Sequence, residues 1–156
     1  MALLDSLLTL HRVDSQVRAL RSRVASAETY FRAQEKQLAL LAKQKAELET
    51  QLKQLQASVH ALEVEQTSAT GRVDKLRAEL NTSTNDKQYK AILNEMKSLE
   101  AQKDEVVKRA VEEMQRAEET KKRLELHEAT IVERQKIREV AKNQLDQCMK
   151  IGRAHV

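Results

Sequence analysis

The chain has 156 residues, no proline, two glycines, three aromatic residues and one third charged residues. So few helix breakers and so few large side chains exclude an ordinary globular core and suit a long coiled coil. Net charge is +4, too slight for a basic nucleic-acid-binding tail: the first 80 residues hold 12 basic and 10 acidic groups, the remainder 16 and 14.

Met1-Ala2-Leu3-Leu4 carries no basic stretch leading into a continuous apolar segment, so a signal peptide is not expected. No run of about eighteen apolar residues follows, so no membrane span and no membrane partner are expected. The single cysteine, Cys148, has no internal partner and suits a reducing cytoplasm, the expected location.

From Leu10 an apolar stripe advances in alternating three- and four-residue steps through Val24, Phe31, Leu41, Leu52 and Leu62 to Leu80. Eighteen of its twenty-one positions are apolar; Gln34, Lys45 and Gln66 are the exceptions. A stripe of period ~3.5 stays on one face only when the helix supercoils around a partner. Residues 1–80 are therefore predicted as one coiled-coil helix. Gly71 interrupts propensity, not the stripe, and reads as a weak point rather than a turn.

Residues 81–86, Asn81-Thr82-Ser83-Thr84-Asn85-Asp86, form the one polar cluster of turn and cap formers. Their side chains compete with the backbone for hydrogen bonds, ending one helix and starting another. Asn85 with Gln88 makes a capping-box arrangement, and Ser83 with Asp86 is the alternative. A short connection joins antiparallel neighbours. The predicted fold is all-α, a long antiparallel coiled-coil helical hairpin, with residues 87–150 as the second helix.

That second arm opens on the stripe at Tyr89, Ile92, Met96, Leu99, Val106 and Ala110. Farther on, Met114, Ala117, Leu124, Ile131, Ala141, Leu145 and Cys148 need a phase shift to share one face. Tyr89 is expected to pack near Leu80 or Leu76 with its hydroxyl wet. Pairing across the tip with numbers totalling about 167 sets Met149 opposite Arg18. Leu3, Leu4, Leu7, Leu8 and Leu10 then have no partner in the chain. Five arginines (Arg12, Arg18, Arg21, Arg23, Arg32) face Arg134, Lys136, Arg138, Lys142 and Lys150, mainly as a solvated surface.

Residues 151–156, Ile151-Gly152-Arg153-Ala154-His155-Val156, break the pattern abruptly. Read back into codons they match part of a common sequencing-adapter oligonucleotide. They are taken as an adapter-derived tail, with a natural protein that continues beyond Lys150.

Asn85-Asp86-Lys87-Gln88-Tyr89-Lys90-Ala91-Ile92-Leu93-Asn94-Glu95-Met96 resembles the segment N-x-K-E-Y-x-A-L-x-x-E-I of a bacterial family. That family, once catalogued as a domain of unknown function, joins a long helical hairpin to a C-terminal C4-type zinc ribbon. Leu7-Leu8-Thr9-Leu10-His11-Arg12-Val13-Asp14-Ser15-Gln16-Val17 is similar to its opening L-x-x-L-Q-x-x-D-x-x-I. Gln88 stands where the family has Glu, and His11 where it has Gln. The resemblance implies a non-enzymatic hairpin that binds protein partners, such as transcription, secretion or flagellar components. It also implies a ribbon, missing here, that binds nucleic acid or protein. Asn85, Lys87, Gln88 and Tyr89 at the tip are the candidate partner-binding residues.

No catalytic, cofactor-binding or metal site is expected. His11, His60, His127 and His155 form no i, i+4 pair, and no glycine-rich phosphate loop exists. A zinc ribbon needs two C-x-x-C pairs; zinc is expected only in the missing part, and Cys148 is expected in the seam. The alternative function is nucleic-acid binding through that missing ribbon and the basic base of the hairpin.

Overall fold

A computed structural model describes residues 1–154. The fold is all-α, a helical hairpin of two long helices packed against each other. Helix α1 spans Ala2–Thr82 and helix α2 spans Asp86–Ala154. The connection is therefore shorter than residues 81–86. Thr82 closes the last turn of α1, its Oγ1 donating back to the carbonyls of Ala78 and Glu79, at 3.4 and 3.1 Å. Helix α2 runs four residues past Lys150 to Ala154; His155 and Val156, the end of the expected tail, lie outside the described residues. No helix among the described residues is long and apolar enough to cross a membrane.

The chain divides into two compact units, Ala46–Glu125 and Met1–Lys45 with Leu126–Val156. In the first, every predicted stripe position from Leu48 to Leu80 is buried or half-buried. Near the connection Val73, Ile92, Met96 and Leu99 form a buried cluster with Leu76 and Leu80 against it. A second cluster joins Leu62, Val106 and Ala110. Covering each large side chain of this kind contributes roughly 1.5–3 kcal/mol, so these clusters carry much of the unit's stability. Gly71 sits inside α1 with no positive φ and open space where a Cβ would lie.

The second arm has no phase shift. Covered positions in Ala46–Glu125 step from Ile92 through Met96, Leu99, Lys103, Val106, Ala110, Glu113, Ala117 and Thr120 to Leu124 in strict alternation of four and three. In the other unit the alternation continues from His127 through Ile131, Arg134, Arg138, Ala141, Leu145 and Cys148 to Gly152. Hydropathy misses the pattern because Lys103, Glu113, Thr120, His127, Arg134 and Arg138 hold seam positions. Met114, expected on the face, lies off it and is 43% exposed.

In the unit built from both chain ends, stripe positions are covered from Val17 onward, while residues 1–16 are all exposed. The register differs from the expected total near 167. Glu35 pairs with Arg138 and Lys45 with Glu128, both totalling 173. Met149 consequently shares a groove with Val24, not with Arg18. Ala141, at 1% exposure, is the least exposed of the buried apolar residues described.

Candidate interaction sites at the turn and along the seam

The turn is built by Asn85. Its Oδ1 accepts the Lys87 backbone N–H at 3.1 Å, and its carbonyl accepts the Tyr89 N–H at 2.9 Å. This is an N-cap, satisfying a donor that the first turn of α2 would otherwise leave unpaired. Of the two capping arrangements open from sequence, Asn85 holds the position. Ser83 supports it, donating from Oγ to the Asn85 carbonyl at 3.3 Å and from its N–H to the Leu80 carbonyl at 3.3 Å. Asp86 and Lys90 form an exposed i, i+4 pair at 3.8 Å, which adds little.

Asn85 is therefore a structural member of the four candidate residues. Lys87, Gln88 and Tyr89 are exposed on the first turn of α2. Tyr89, expected to close the tip against Leu80 or Leu76, remains 42% exposed. Ile92, at 6%, belongs instead to the cluster against which Leu76 and Leu80 pack. Tyr89 precedes Ile92 by three residues, one helical turn nearer the connection, and belongs to neither buried cluster.

Three polar pairs cross the helices within the unit of the chain ends, Lys45 with Glu128 among them. His127 Nε2 and Gln44 Oε1 lie 3.1 Å apart. Arg138 Nη2 donates to Glu35 Oε1 at 3.3 Å, and its guanidinium carbon stands 5.7 Å above the Phe31 ring. Gln34, by contrast, is 7% exposed with an Oε1 that has no hydrogen-bond partner. In the other unit Glu113 Oε2 is likewise buried and unpartnered. It borders an open groove of about 480 Å³ whose lining includes Arg116, Glu119, Thr120 and Arg123. Sequence reading placed Gln34 on the stripe but missed the polar seam positions of α2; the four–three count carried forward from Ile92 finds them.

The basic residues near the chain ends divide by use. Arg18 pairs with Asp14 at 2.8 Å, Arg138 is engaged as above, and Arg134 is half-buried in the seam. Arg12, Arg21, Arg23, Arg32, Lys136, Lys142 and Lys150 are exposed. Cys148 is a free thiol at a covered seam position. No group of three or more His, Cys, Asp or Glu among the described residues is placed to hold a metal ion.

Comparison with family models, with curated proteins and with solved structures finds no match for this chain.

Proposed function

We propose that this chain is a non-enzymatic coiled-coil scaffold that binds protein partners through its turn, the N-terminal part of a bacterial, cytoplasmic zinc ribbon protein. The observation supporting this reading is the exposed Tyr89 beside Lys87 and Gln88 on a turn fixed by the Asn85 cap. Tyrosine offers a large, stiff surface with a polar end and is enriched among the residues that dominate interfaces. A capped turn presents it with little conformational entropy left to lose. The family resemblance, carried by the same residues, supplies the partner class of transcription, secretion or flagellar components.

The test compares wild type, Tyr89→Ala and Lys87→Glu for salt-tolerant retention of one identified protein partner. Loss of retention with an unchanged melting temperature supports the reading; equal retention by all three overturns it. Zinc content of a protein carrying the natural sequence beyond Lys150 tests the ribbon. The exposed basic residues of the chain-end unit favour a second reading, nucleic-acid binding. Retention on nucleic acid that falls steeply with salt would support that instead.

A further inference from the structure

Among the described residues two buried side-chain atoms have no hydrogen-bond partner, Gln34 Oε1 and Glu113 Oε2. The seam shows what faces them. His127 meets Gln44, and Arg138 meets Glu35, and these pairs set the count along both helices. Carried along the heptads, the first pair places Ser58 opposite Glu113 and Ile137 opposite Gln34. Ser58 and Glu113 border one groove without satisfying the carboxylate, and isoleucine has no donor to offer. The second pair places Thr70 opposite Lys103, where neither charge nor shape calls for it.

We infer that the hairpin has a second register, in which each α2 residue faces the α1 residue one heptad earlier. A slide of one heptad, about 10 Å, keeps apolar stripe against apolar stripe. It sets Glu113 opposite Gln51, whose amide donates, and Gln34 opposite Thr130, whose hydroxyl donates. Lys103 then meets Glu63, and Arg138 exchanges Glu35 for Glu28. Tyr89, 42% exposed, takes the place of Met96 opposite Leu76, and Asn81 takes the capping role of Asn85. A slide in the opposite sense sets Glu113 against Glu65 and Lys103 against Arg77, so charge fixes the direction. The described register is the major one. The slide trades the Lys45–Glu128 pair, at 3.7 Å, for Lys45 against Lys121, and it removes Leu80 from its packing on the buried cluster.

The native thiol tells the two registers apart. Cys148 borders a groove with Ala27, and Met149 one with Val24; Val17 stands one heptad before Val24. The full chain carrying Val24→Cys or Val17→Cys is equilibrated at low concentration in a glutathione redox buffer. Intramolecular disulfide with Cys148 is measured by mass spectrometry. Val24→Cys is expected to close readily, and Val17→Cys about 10- to 100-fold less. Thr130→Val, at an exposed position, is expected to lower closure in the Val17→Cys chain about fivefold and to leave the Val24→Cys chain unchanged. Phe31→Cys, one heptad in the other direction, is expected not to close. No closure in the Val17→Cys chain overturns the inference. Closure there that Thr130→Val does not lower is fraying of the chain ends and overturns it too. So does equal closure in the Phe31→Cys chain, which would be sliding without a preferred second register.

Discussion

Arg138 reaches across the seam to Glu35, with Nη2 3.3 Å from Oε1, although 103 residues of chain separate them. Both side chains are more than a third exposed, so the ion pair alone contributes at most about 1 kcal/mol. The guanidinium also lies over Phe31, and a planar cation stacks where an ammonium does not. Arg138→Ala is therefore expected to cost about 0.5–1.5 kcal/mol by urea unfolding, and Arg138→Lys, which keeps the charge but loses the planar stack, a measurable part of that. Full retention of stability in the lysine variant would show that charge, not stacking, matters.

Gln34 holds a buried seam position with an unpartnered Oε1. A buried acceptor without a donor costs about 1–3 kcal/mol, and an apolar replacement of similar shape removes that cost. Gln34→Leu should therefore stabilise the chain by roughly 1–2 kcal/mol. A loss of stability in equilibrium unfolding would mean that the amide is satisfied in solution.

Gly71 lies mid-helix with nothing within 4 Å of where a Cβ would stand. Alanine there restricts the unfolded chain and clashes with nothing. Gly71→Ala is expected to raise stability by about 0.5–1 kcal/mol, read as a higher melting temperature. An unchanged or lowered value would indicate a bend that needs glycine.

Asn85→Ala removes the cap acceptor from the Lys87 N–H and is expected to cost about 0.5–2 kcal/mol, whereas Asn85→Ser, whose hydroxyl also caps, is expected to keep most of the stability. Ile92→Ala, in the buried cluster, should cost about 2–5 kcal/mol. Tyr89→Ala should cost clearly less than Ile92→Ala, because Tyr89 is partly in water. Calorimetry that ranks Tyr89 above Ile92 would return the tyrosine to the role of tip plug.

The first helix was legible because leucine and valine at strict spacing need no tertiary context to be recognised. The cap was legible because Asn85 is read one turn at a time. The second helix failed halfway for a definite reason. Polar groups such as His127 and Arg138 occupy the seam through partners on α1, and partnership across about a hundred residues leaves no trace in local hydropathy. Register failed similarly: a shift of a few residues leaves both stripes intact, and only specific pairs such as Lys45 with Glu128 distinguish it. At the candidate site, Lys87 and Gln88 are exposed, whereas the division of labour between Tyr89 and Ile92 depends on the exact approach of α1.

The two buried clusters stand nearest the turn, while Arg138 meets its partner 103 residues away in sequence. Closing a loop costs entropy that grows with its length, about 0.6 kcal/mol for each doubling. The contacts cheapest to form are thus also among the best packed, so folding has a built-in direction. The chain is accordingly expected to close first around Leu80 and Ile92 and then to zip outward toward its ends. Weakening Val73 or Leu99 should then slow that start, whereas weakening the Phe31 region should mainly hasten the unravelling that reverses it, a difference read from folding and unfolding rates.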